Sequence, residues 1–130
     1  MVHAAGEVVG CVPGSWETDD PATPYPGLDA TADVHAARLA RLTRECGLDG
    51  VVCSAWEATA IKAAHGSQFL AVTPGIRLAE GDAHDQIRIA TPESARRAGA
   101  DYLVIGRAIT QAADPHAALK KINTTLGTLE

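Results

Sequence analysis

Lysine and aromatic residues are scarce: the chain has only Lys62, Lys120 and Lys121, with one Phe, two Tyr and two Trp among 130 residues. Long apolar runs are missing as well. The longest, such as Tyr102 to Ile105, fall far short of the roughly 20 residues needed to span a bilayer, so no transmembrane helix is expected. Met1 to Gly10 lacks a cationic flank and is interrupted by Glu7, which argues against a signal peptide and for a cytoplasmic location. Cys11, Cys46 and Cys53 form no C-x-x-C pair, and an odd number cannot complete a disulfide framework, so reduced thiols are expected, with Cys53 in the core. Positive charge is not in excess: 11 Lys and Arg face 16 Asp and Glu, for a net charge of -5. Nothing draws such a chain to nucleic acid in general, and any anion it binds must meet a few placed donors.

What is present is a composition for one folded domain, 46% apolar and 21% charged. From Thr31 onward, helix signals alternate with short β-branched runs. Thr31 is placed to cap a helix with Asp33 in its first turn and Leu39, Leu42 and Cys46 on its apolar face, stopping at Gly47. The run 50–54 suits a strand buried on both faces. Ser54 and Glu57 have capping-box spacing and open a helix through Ala58, Ile61 and Ala64 to Gly66. A strand over 69–73, a polar loop from Pro74 to Gln86 and a helix capped at Thr91-Pro92 and ending near Gly99 repeat the cycle. A strand over 101–106 and a helix from Asp114-Pro115 with Leu119, Ile122 and Leu126 on one face complete it.

Successive βα units imply a parallel sheet. Residues 1–30 differ: one possible strand, Glu7 to Val12, precedes a stretch without periodicity that contains Pro13, Pro21, Pro24 and Pro26. About four parallel strands with helices on one side are therefore expected, whereas an eight-stranded βα barrel uses about 250 residues. The expected fold class is α/β, half of a (βα)8 barrel, with 31–130 as the half-barrel proper.

Two loops follow the last two strands: Thr73-Pro74-Gly75-Ile76-Arg77 and Gly106-Arg107-Ala108. Loops after the last strands of βα barrels commonly bind phosphate through backbone N–H groups at a short helix N-terminus. Glycine lets the backbone approach closely, and arginine adds a forked, permanently charged donor. On residue type alone, a phosphate clamp and a pair of ordinary turn glycines with solvated arginines both fit.

The segments 47–55, 72–77, 81–86, Thr91-Pro92 and 102–107 together resemble the C-terminal half of bacterial orotidine 5'-phosphate decarboxylase, over about Thr31 to Leu126. That family is a βα barrel that removes CO2 from orotidine monophosphate to give UMP, a step of pyrimidine biosynthesis, as a homodimer without cofactor or metal. The resemblance implies that Gln86, Arg107 and the backbone of Gly106 hold the 5'-phosphate, that Arg77 contacts substrate, and that Pro74 sits against the pyrimidine. The family's catalytic relay resembles a Lys followed by Asp-x-Lys-x-x-Asp on strands two and three, and no such motif occurs here. The sequence therefore offers no catalytic residue, and decarboxylation by this chain alone is not expected, because the reacting centre requires a preorganised proton donor and carboxylates.

By the same resemblance, the family's fifth strand falls before Thr31, with Ser15 and Thr18 as candidates to read the pyrimidine. Val2 to Gly6 is similar to the segment at the family's fourth strand, which implies that the intervening helix has been deleted. The expected partners are a nucleotide monophosphate or phosphate and further copies of the chain, joined through barrel strand edges. The alternative is a non-catalytic, self-associating half-barrel whose phosphate site is vestigial.

Among the remaining candidates, His84 between Asp82 and Asp85 has no second histidine at ligand spacing and is read as loop rather than metal site. Arg96, Arg97, Lys120 and Lys121 are read as helix surface charges, and Trp56 as packing or an interface anchor.

Overall fold

The computed structural model describes residues 2–4, 7–11, 30–78 and 90–127. In chain order the elements are β1 (Val2–Ala4), β2 (Glu7–Cys11), α1 (Ala32–Glu45), β3 (Gly50–Val52), α2 (Ala55–His65), β4 (Leu70–Thr73), α3 (Pro92–Arg97), β5 (Tyr102–Leu103), α4 (Arg107–Thr110) and α5 (Pro115–Gly127). One sheet holds the strands in the order β1-β2-β3-β4-β5. β2 to β5 are mutually parallel, with Cys11 opposite Val52, Val52 opposite Val72 and Val72 opposite Tyr102. These are the four parallel strands the sequence implies. β1 is an addition: it pairs antiparallel with β2, His3 opposite Val8. It therefore does not stand as a parallel fourth strand, contrary to what the resemblance of Val2 to Gly6 suggested.

Helices cover one face of the sheet. Val51, Cys53 and Ala71 are fully buried on that side against Ala36, Ala40, Ala58 and Ile61. Further along the same face, Leu103 and Ile105 pack with Ile76, Ala95 and Ala100. Because side chains alternate across a strand, Val52, Leu70, Tyr102 and Val104 fall on the opposite face, where no described helix packs. Tyr102 and Val104 are 40% and 52% exposed there. The expectation that the strand over 50–54 is buried on both faces holds in part: on the inner face Val52 is half-buried beside the buried Val72, and exposure rises toward the β5 edge.

The caps form largely where the residue types place them. Ser54 and Glu57 make the full capping box: the Ser54 N–H donates to Glu57 Oε2 at 2.9 Å, and the Glu57 N–H donates to Ser54 Oγ at 3.4 Å. Thr91 forms a second box with Ser94. At the end of α1, Gly47 N–H donates to Arg44 O and Leu48 N–H to Thr43 O, a Schellman termination. Thr31 departs from expectation: its hydroxyl binds the Asp33 carboxylate rather than a helix amide, and this holds the Asp33 carboxyl below its usual range.

The buried face of α1 follows the leucine pattern only at Leu39, which packs against the core. Ala32, Ala36 and Ala40 face the sheet, while Leu42 is 53% exposed and Cys46 lies at the surface. The physical reason is close approach: a Cβ on Gly10 would lie 2.9 Å from Thr43 Oγ1, so α1 rides directly over β2 and only small side chains fit between them. Among the described residues, no helix is long and apolar enough to cross a membrane.

Candidate functional site

β4 and β5 end together. Thr73 stands opposite Leu103, and the Val104 N–H donates to Thr73 O at 2.8 Å, so the two following loops leave the sheet as neighbours at its C-terminal edge. Gly75 has φ +77°, a left-handed conformation that a side chain strains, and it turns the first loop back on itself. Ile76 anchors that turn: it is 4% exposed, packs in the cluster with Ala55 and Ala95, and forms a parallel bridge with Ala90. The Arg77 N–H donates to Ala90 O at 3.0 Å, which fixes its backbone while its side chain lies at the surface. Pro74 is half-buried at the start of this loop.

On the second loop, Gly106 is the N-cap of the short α4, and its carbonyl accepts from the Ile109 and Thr110 amides at 2.9 and 3.1 Å. The first amides of such a turn have no acceptor within the helix. Arg107, exposed at the first position of α4, lines a cleft of about 550 Å³ together with Pro92, Glu93, Gln111, Lys121 and Thr125. The structure therefore sets Pro74, Arg77, Gly106 and Arg107 on two adjoining loops. Gln86 lies outside the described residues, as do Ser15, Thr18 and the Asp82-His84-Asp85 group.

Lys121 and Glu93 were not singled out from the sequence as parts of this cleft. Lys121 is exposed, as expected of a helix surface charge, and reaches the cleft from the row Ala118, Lys121, Ile122 and Thr125 at helical spacing. Lys62 stays out of the site. Its ammonium is 2.5 Å from Asp101 Oδ2 and 3.0 Å from Ser67 O. Cys53 is likewise structural: burial pushes its thiol up to about 12, and the Glu57 carboxylate adds in the same direction. Trp56 is 59% exposed rather than packed in the core. No cluster of His, Cys, Asp or Glu suited to a metal ion occurs among the described residues.

Parallel βα units with helices on one side of the sheet, and two glycine–arginine loops at the carboxyl ends of adjacent strands, define part of a βα-barrel protein. Comparison with known proteins agrees and is more specific. Residues 15–122 match the family described as Orotidine 5'-phosphate decarboxylase / HUMPS, and the chain belongs to that family. Over 97 residues it is 62% identical to the orotidine 5'-phosphate decarboxylase of Chromobacterium violaceum, a match covering 75% of this chain and 39% of that protein. Over 100 residues it is 58% identical to the Salmonella typhimurium enzyme of the same name, covering 77% and 41%. The crystal structure of orotidine 5'-phosphate decarboxylase from Lactobacillus acidophilus superposes with a TM-score of 0.73 at 30% identity, over 95% of this chain and 50% of that one. The chain thus spans 39 to 41% of the length of these curated relatives.

Proposed function

We propose that this chain supplies the phosphate-binding half of a site for orotidine 5'-monophosphate or UMP, and that it does not decarboxylate the substrate by itself. What supports this reading is the Val104 N–H to Thr73 O bond, by which the loops carrying Gly75–Arg77 and Gly106–Arg107 start from neighbouring strand ends. In the proposed site, Arg107 and the Gly106 backbone grip the 5'-phosphate with Gln86, Arg77 provides a second cationic contact, and Pro74 lies against the pyrimidine.

The chemistry at the other end of the substrate requires a proton donor beside the departing carboxylate. Lys62 is committed to Asp101 and Ser67 behind the sheet, and Lys120 and Lys121 belong to α5. Grip on a remote phosphate accelerates a reaction only where groups at the reacting centre convert that binding energy into transition-state stabilisation. Without them the chain binds and does not turn over. Alone, the half-barrel covers its apolar inner face and open strand edge by self-association.

Titration with UMP and with inorganic phosphate, followed by NMR shifts or thermal stabilisation, tests this reading. The wild-type chain responds to both, and Arg107→Ala weakens UMP binding roughly tenfold to a hundredfold, the value of a lost charge-assisted hydrogen-bond pair. An Arg107→Ala response equal to wild type refutes the site. No response from either chain favours the non-catalytic half-barrel with a vestigial clamp.

A further inference from the structure

Trp56 is 59% exposed, more than any other large apolar side chain among the described residues. It stands in the first turn of α2, beside a groove of about 530 Å³ between α1 and α2 on the side of the helices turned away from the sheet. Exposed small residues, Ala37 on α1 and Ala60 and Ala64 on α2, form much of its wall. Each helix returns over the sheet from one of two parallel strands, β2 and β3, so α1 and α2 run in the same direction. The charges along the groove are sorted by end. Asp33 and Glu57 lie at the helix starts, and Arg41 and His65 lie eight residues further along each helix, about 12 Å away at 1.5 Å per residue.

We infer that this outer α1–α2 face docks a second copy of the chain in a two-fold arrangement, with α1 against α1 and α2 against α2 in opposite directions. The sorting of charge selects that occupant and that orientation. A surface acidic at one end and basic at the other is complementary to its own reversed copy. In this arrangement Asp33 of each copy meets Arg41 of the other. Trp56 of each copy lies over Ala60 and Ala64 of the other, where small side chains leave room for the indole, and a desolvated tryptophan is a common anchor of such contacts. The parallel arrangement brings like charges together at both ends and is excluded. Glu57 is buried in its capping box with Ser54, so the exposed Asp33 carries the acidic end. Arg41 reaches Glu45 at 3.6 Å, but both side chains are more than half exposed, and such a surface pair holds the arginine only weakly. Ala37 lies midway between Asp33 and Arg41, so the two-fold axis passes beside it and sets the two Ala37 residues face to face.

This interface lies on the helical side of the sheet and uses neither a strand edge nor the arginine loops, so it stands or falls apart from the nucleotide reading. The test compares intermolecular disulfide formation by an Ala37→Cys chain with that of an Arg38→Cys chain, whose new thiol lies on the same turn of α1 but outside the groove, both in a Cys46→Ser background under mild oxidation. The Ala37→Cys chain cross-links roughly tenfold faster or more, because a disulfide forms only where the two Cα atoms come within about 7 Å. Adding Asp33→Arg or Arg41→Asp to the Ala37→Cys chain slows cross-linking by about tenfold or more, since each puts like charges opposite one another at both ends. An equal mixture of these two charge variants regains the rate, because each arginine then meets an aspartate at both ends, and this recovery excludes misfolding as the cause of the loss. Equal rates for Ala37→Cys and Arg38→Cys, as association through the sheet alone gives, or a mixture no faster than its components, overturns the proposal.

Discussion

Lys62 and Asp101 are joined across the sheet: the ammonium of the α2 lysine lies 2.5 Å from Oδ2 of the aspartate that precedes β5, and the same oxygen accepts the Ala71 N–H at 2.8 Å. One carboxylate oxygen thereby fastens α2, β4 and the approach to β5, the strand that leads into the Gly106–Arg107 loop. Both side chains are largely shielded, at 15% and 26% exposure, so the pair is less screened than a surface ion pair.

Replacing Asp101 with Asn or Lys62 with Met is expected to cost about 1.5–3 kcal/mol each, the range for hydrogen bonds to charged groups. Denaturant unfolding of the two single mutants and the double mutant measures this. The double mutant loses less than the sum, because each single change already strands the other partner.

Cys53 predicts an alkaline weakness. Its folded-state value is raised to about 12 from an ordinary 9.0, so the thiol stays protonated in the fold while the unfolded chain loses that proton. The contribution to stability is complete below about pH 9 and is lost as pH rises from there toward 12. Unfolding between pH 8 and 11 should show this decline, and Cys53→Ala should flatten it. In the folded chain at pH 8, alkylating reagents reach the exposed Cys46 and spare Cys53.

Thr73 carries a fully buried hydroxyl that interacts with the Cys53 thiol but makes no hydrogen bond of good geometry among the described residues. Thr73→Val keeps the side-chain shape and removes both the poorly satisfied oxygen and its thiol contact, so stability should change by less than about 1 kcal/mol. A larger loss of thermal stability would show that the hydroxyl and thiol form a full hydrogen bond.

Gly75→Ala should lower stability by about 1–2 kcal/mol, because a φ of +77° crowds an added Cβ against its own backbone. Space is not the obstacle, since nothing lies within 4 Å of that Cβ. UMP binding should fall with the same substitution as the Arg77 backbone loses its position. On the inner face, Val104→Lys should shift the isolated chain toward monomer in sedimentation at micromolar concentration, since an edge lysine blocks strand pairing.

Sequence pattern was sufficient for the elements that local chemistry determines. The Ser54–Glu57 box, the Gly47 stop, the Thr91-Pro92 start and the order of βα units all follow from residue type and spacing, and the two arginine loops follow from glycine at strand ends. The misses share a different cause. The alanine face of α1 depends on how closely the helix approaches Gly10, a tertiary distance that leucine periodicity does not encode. β5 contributes only Tyr102 and Leu103 to the ladder from an apolar run twice that length or more, because no further strand among the described residues extends it at the sheet edge. Lys121 joins the Arg107 cleft through the docking of α5 near α3, which the helix's own pattern places on a face but not against a partner.

The central claim is that this chain holds the grip on the phosphate and lacks the chemistry at the carboxylate. Orotidine 5'-monophosphate decarboxylation by the purified chain, alone and mixed with the N-terminal half of the Chromobacterium violaceum relative, tests it most directly. The expected result is no turnover by the chain alone and turnover in the mixture, abolished by Arg107→Ala at substrate concentrations below saturation; turnover by the unaided chain would contradict it.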